Sequence, residues 1–317
     1  MSHWRYSTRI AATLRLLIVA AALAAAASAS ADTAHPSSAP EAARASPNQS
    51  EALQEVTVTA MHFQLAQRVS KFVYQIAALE NAEGLPRWRK GICPQVTGLP
   101  REAGEFILGR ISEIARAAGA PLAAENCGPN LFIVVTPDPK RVLEGMNIQT
   151  RLLTFAGAHP SVIDEFIATP RPVRVWYKTG MATPEGIPLG DSDRTDTMEA
   201  VYGRFPAVSA ESSYVKRNII WSFTRLLVVV DRRRLQGLSR GQFADYIAMV
   251  TLADLKPGAH LGDAPTILKL FDGTPPDAPV GMSEWDLAFL KSLYSTDQTS
   301  KGQRGQIAHT IERELSH

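Results

Sequence analysis

Asp245 lies in a stretch, residues 240–255, where Phe243, Tyr246, Ile247 and Val250 form one helical stripe while Ala248, Met249 and Leu252 fill the other sides. A helix apolar nearly all round is a buried one, and a carboxylate beyond its first turn is not explained by the helix dipole. Buried, it has to be paired or coordinated. It is either a site acid or metal ligand, or a structural carboxylate held by an arginine or a backbone amide. Just downstream, the turn-rich run from Asp254 to Asp263 brings His260 close to two carboxylates. Asp245, His260 and Asp263 are therefore the candidate catalytic set, a carboxylate or imidazole acting as base toward water. Asp263, before Ala264-Pro265, also reads as the N-cap of a helix over 264–271, and His260 as a solvated side chain. Arg232, Arg233 and Arg234 directly follow an apolar strand, at a strand end where α/β sheets often form sites. They are a candidate anion-binding set, with a solvated charge run as the plainer reading. Asp191, Asp193 and Asp196 offer oxygens to Ca²⁺ but lack the glycine and terminal glutamate of the known loop pattern, so a solvated loop is expected.

What is missing narrows the chemistry. The seven histidines include no pair four residues apart, and no His-Glu-x-x-His occurs. With two cysteines no thiolate zinc site can be built. Gly-rich phosphate fingerprints and Gly-x-Ser-x-Gly are also lacking. No cofactor is expected from motifs.

The elements that must position these residues read as an α+β domain. Leu65, Val69, Phe72, Val73 and Ile76 recur at helical spacing, as do Ile107, Ile111, Ile114 and Ala118, with stops expected near Gly84 and Gly119. Residues 86–100 read as a loop, broken by prolines and glycines. Residues 131–135 (LFIVV) and 226–230 (LLVVV) are short, β-rich and wholly apolar, so they are expected as central strands covered on both faces. Residues 172–177 alternate and belong nearer an edge. Residues 55–60 (EVTVTA) read as a short edge strand, and residues 179–213, rich in Gly, Pro, Ser and Asp, as a long segment without period. Helices are expected over 240–255, 264–271, 284–295 and 302–316; Ser239 with Gln242 and Ser283 with Asp286 have capping-box spacing.

Residues 1–31 hold Arg5, Arg9 and Arg15, then an apolar run, then Ala-Ser-Ala-Ser-Ala. That is the pattern of a Sec-type signal peptide, its apolar run too short to span a bilayer of about 30 Å. Residues 32–54, rich in Ala, Ser and Pro, read as a disordered tether, and residues 55–317 as a single domain. Export to the periplasm or beyond makes a Cys93–Cys127 disulfide the expected fate of the only two cysteines. The chain of 317 residues carries 33 basic and 31 acidic groups. Without the three arginines of the leader the balance is close to neutral, which excludes nucleic acid as a partner on bulk electrostatics. No later stretch is long and apolar enough for a transmembrane helix.

The runs FADYIAMVTLADL, GDAPTILKLF and MSEWDLAFLKSLYSTD resemble the C-terminal part of a family of exported proteobacterial proteins of unknown function, some described as putative lipoproteins. That family is similar in layout to zinc metallopeptidases of the zincin type. The resemblance spans residues 205–317 and implies a zincin-like mixed sheet packed against several helices. It places Ala244, Asp245 and Ala248 where those peptidases carry His, Glu and His, so it also implies that the usual zinc chemistry has been lost or moved. Two functions follow. One is a non-catalytic exported protein that binds a protein, peptide or envelope component. The other is a hydrolase of peptidase or amidase type using Asp245 with His260 and Asp263, with zinc as Lewis acid only in that case.

Overall fold

The two apolar runs pair with each other at the centre of a four-stranded mixed sheet. In the computed structural model, which describes residues 47–78, 84–150, 159–186, 189, 217–273 and 278–316, β1 (Pro94–Thr97), β2 (Leu131–Thr136), β3 (Val173–Ala182) and β4 (Ile220–Asp231) take the order β1-β2-β4-β3. The first three in that order run parallel and β3 is antiparallel to β4, with a register shift at Lys178/Thr179. Residues Glu51–His317 form one compact unit.

Because successive side chains on a strand point to opposite faces, the central strands feed two cores. Leu131, Ile133, Val135, Leu226, Val228 and Val230 face the larger one. There they meet α1 (Pro47–Ile76), α2 (Arg101–Ala118), α5 (Arg240–Leu252), α6 (Glu284–Ser295) and α7 (Gln303–Leu315). Leu227 and Val229 face a smaller core built on Leu143 of α3 (Pro139–Thr150) and Ile163 and Ile167 of α4 (Pro160–Ala168). The sheet is thus covered on both faces, and the chain has the α+β architecture its sequence predicts. Seven helices are seen among the described residues.

Local signals account for most boundaries. Gly119 ends α2 in the left-handed region at φ +77°, its amide returning to the carbonyls of Ala115 and Arg116. Both capping boxes form, Ser239 with Gln242 and Ser283 with Asp286. Gly98 follows β1 at φ +83°, and a Cβ there would lie 1.9 Å from the Val135 carbonyl oxygen, so only glycine lets these backbones touch.

Five expectations are corrected. Residues 55–60, read as an edge strand, and residues 47–54, read as tether, lie within α1. Val and Thr lose only a few tenths of a kcal/mol each in a helix, and the stretch is flanked on both sides by helix-forming residues, so propagation carries through it. The loop over 86–100 contains β1, and 179–182 belong to β3. The helix expected over 264–271 is a single 3₁₀ turn, Ile267–Phe271, capped by Thr266 and not by Asp263. Residues 1–46, including the signal pattern, fall outside the described residues, as do residues 187–188 and 190–216 with Asp191, Asp193 and Asp196.

Candidate functional site

Asp245 is 4% exposed on α5, whose neighbouring Ala244 and Ala248 are fully buried. One carboxylate oxygen accepts from Arg110 Nε of α2 at 2.5 Å, and the other from the backbone amide of Met282 at 2.7 Å. Gly281 lies against the second oxygen, where a Cβ would come within 2.9 Å. Arg110 also reaches Glu113 at 2.8 Å. Its hydrogen bond to Asp245 holds the guanidinium proton more tightly than usual. Gln242 Nε2 donates to the Pro279 carbonyl at 2.7 Å, so two side chains of α5 pin the loop that enters α6. Asp245 therefore ties α2, α5 and that loop together, and both of its oxygens are engaged in doing so.

The other nominated residues lie apart from it. His260 is exposed. Asp263 is exposed and pairs with Arg68 at 3.5 Å. Among the described residues no hydrogen bond or ion pair links Asp245, His260 and Asp263, and no three His, Cys, Asp or Glu side chains stand close enough to hold a metal ion. Arg232, Arg233 and Arg234 do stand at the carboxyl end of β4, exposed in a 3₁₀ turn capped by Asp231. Arg233 forks onto Asp231 with Nε at 3.0 Å and Nη2 at 2.9 Å, which holds the pKa of that carboxyl below its ordinary range.

Cys93 and Cys127 form the expected disulfide, their Cα atoms 6.1 Å apart. Around it, Ile92 exchanges backbone hydrogen bonds with Pro121 and Ala123, and Asn130 binds the Cys93 amide and the Gly91 carbonyl. Residues 91–93 are in this way stitched to 121–130.

The same loop carries a feature that motif reading missed. Residues 84–88 are held by partners far away in sequence: Leu85 N by Gln303 at 2.8 Å, Leu85 O by Gln298 at 3.1 Å, and Arg87 O by the Phe223 amide at 3.1 Å. Trp88 Nε1, Tyr177 and Tyr294 donate to three successive carbonyls at the end of α5, Thr251 at 2.8 Å, Val250 at 2.8 Å and Leu252 at 2.9 Å. Arg87 Nη1 donates to Leu293 O and Thr296 O at the end of α6. Side chains thus satisfy carbonyls that the ends of both helices leave without an intrahelical partner.

Arg87 is 6% exposed, its guanidinium 5.9 Å from the Tyr294 ring centre. Burial, and then the neighbouring Arg89, push it down to about 10. It borders a cleft of about 240 Å³ with Arg89, Gly119, Pro121, Glu185 and Tyr294. Arg89 Nη2 donates to Pro184 O at 2.7 Å and so fixes the 184–186 turn across the opening. The one cue in the sequence is Arg-Trp-Arg in a proline-rich loop.

No family model, curated protein or solved structure matches this chain.

Proposed function

We propose that this chain is a non-catalytic binding protein of the extracytoplasmic space, built on a degenerate metallopeptidase-like scaffold. The observation that carries this reading is the state of Asp245. A general base needs an oxygen facing water and substrate, whereas Arg110 and the Met282 amide occupy both of its oxygens and Gly281 packs over one of them. Ala244 and Ala248, which the resemblance aligns with zinc ligands, are core residues. The Cys93–Cys127 disulfide suits an oxidising compartment. No helix among the described residues is long and apolar enough to cross a membrane. The signal pattern of residues 1–31 supports export by the Sec route, and a protein, peptide or envelope component is the class of partner in view.

The test is elemental analysis of the protein purified from the periplasm, wild type beside His260→Ala, with peptide and amide turnover assayed on the same samples. The expected result is no stoichiometric metal and no turnover in either. Stoichiometric zinc lost in His260→Ala, or turnover abolished by Asp245→Asn in a protein that remains folded, overturns the reading in favour of a hydrolase.

A further inference from the structure

We propose that the cleft between residues 85–89 and the 184–186 turn is a binding site for a small oxyanion, a carboxylate or phosphate group held between Arg87 and Arg89. The inference names a ligand class for the binding-protein reading above and rests on it.

Two observations lead there independently. The first is the unequal compensation of Arg87. A buried charge is normally paired with an opposite one, yet Arg87, 94% buried, has no carboxylate within ion-pair distance among the described residues. Its Nη1 is spent on the carbonyls of Leu293 and Thr296 and its face on Tyr294, and the residue also lines the cleft. Asp297 acts on it only at longer range, its Oδ1 accepting from the Thr299 amide and hydroxyl.

The second is the construction of the opening. Two arginines, Arg87 and Arg89, line it against one acidic residue, Glu185, which is itself held by the Thr183 hydroxyl. Guanidinium groups present planar donor forks that match carboxylate and phosphate oxygens. The helix-end carbonyls that would repel an anion are already taken by Trp88, Tyr177, Tyr294 and Arg87. At about 240 Å³ the cleft is smaller than the roughly 300–1,000 Å³ usual for drug-sized ligands. It suits a small acid or the acidic end of a longer molecule. An anion here would supply the counter-charge that the described residues do not and draw the 184–186 turn, through Arg89, toward Arg87.

The probes are inorganic phosphate and succinate, titrated into the processed protein with sodium chloride at matched ionic strength as the control. Binding is read by calorimetry and by tryptophan fluorescence, since Trp88 lines the cleft. One of the two is expected to bind saturably at one site, and which one saturates identifies the source of the oxyanion. Arg87→Gln abolishes that binding but also uncaps α6, so the deciding variant is Arg89→Gln. Arg89 is exposed, and replacing it should weaken binding at least tenfold with an unchanged melting temperature, while Arg89→Lys recovers part of the loss. No saturable signal over chloride for either probe, or binding that Arg89→Gln leaves intact, overturns the inference. Asp245 and His260 do not line the cleft, so the metal and turnover assays judge the binding-protein reading separately.

Discussion

Asp245 and Arg87 are buried to nearly the same degree and each fastens a loop to helices, yet their surroundings differ in kind. Asp245 has an opposite charge in direct contact and a backbone amide on its second oxygen. Arg87 has neutral carbonyls, an aromatic ring and a second arginine nearby. Buried titratable groups are routinely taken as markers of function, and here that rule points first to the member whose partners the fold already supplies. A buried charge whose counter-charge is built into the fold has its electrostatics closed, and its removal registers as lost stability. One compensated by dipoles alone, at the wall of a cleft, still has a strong interaction to offer a ligand.

The largest expected effect separates the two regions through the disulfide. Cys93–Cys127 stitches together the loops that carry Gly119 and Pro121, on the Arg87 side. By loop entropy it contributes up to about 3.8 kcal/mol. Urea unfolding of Cys93→Ser/Cys127→Ser should show a loss of that order, with oxyanion binding weakened in parallel; unaltered binding would mean the loops keep the cleft in shape without the bridge. Next in size is Asp245→Ala. Removing one partner of a buried pair costs about 3–5 kcal/mol, and since Arg110 remains about one-third exposed the lower end applies, about 3 kcal/mol. Binding at the cleft should survive this loss. If Asp245→Ala instead abolishes binding while the protein stays folded, the two regions are one functional unit and the contrast between them fails.

The layout of the sheet could be read in advance because its signals are local and redundant. Two apolar β-branched runs announce strands covered on both faces, and Ser-x-x-Gln and Ser-x-x-Asp announce where α5 and α6 begin. Elements with one weak signal escaped. α3 buries only Leu143 among its fully described interior positions and carries Gly145, and β1 is four residues long with alternating half-burial. The helix over 47–60 escaped because six alternating residues imitate a strand until the flanking helix is taken into account. Burial of Asp245 could be inferred from the apolar circumference of α5, but its partner could not. Arg110 is 135 positions away. Arg87 is harder still, for its acceptors lie 206 and 209 positions away and nothing in a proline-rich loop says that one of its two arginines turns inward.

The smallest expected effect sharpens the comparison from the opposite sign of charge. Asp286 is fully buried and, like Arg87, is met by neutral groups: the Thr266 hydroxyl at 2.5 Å, the Ile267 amide at 2.8 Å, and the Ser283 amide and hydroxyl at 3.0 and 2.9 Å. Both of its oxygens accept hydrogen bonds, so its partners are complete as they stand. Burial raises its carboxyl above the ordinary 3.8, with the four hydrogen bonds opposing that rise. A carboxyl that holds its proton more tightly folded than unfolded contributes stability in full below the unfolded value and loses it as pH climbs through the folded one. Asn mimics the protonated side chain, at the loss of about 1 kcal/mol in hydrogen bonding. Asp286→Asn should therefore be less stable than wild type by about that amount at the acid end, and the gap should narrow as the pH is taken to neutrality. Urea denaturation of both proteins between acid and neutral pH measures it. A gap that widens with pH would mean that four neutral donors outweigh burial. In that case carbonyls and a ring could satisfy Arg87 just as fully, and its lack of an ion-pair partner among the described residues would no longer point to a ligand.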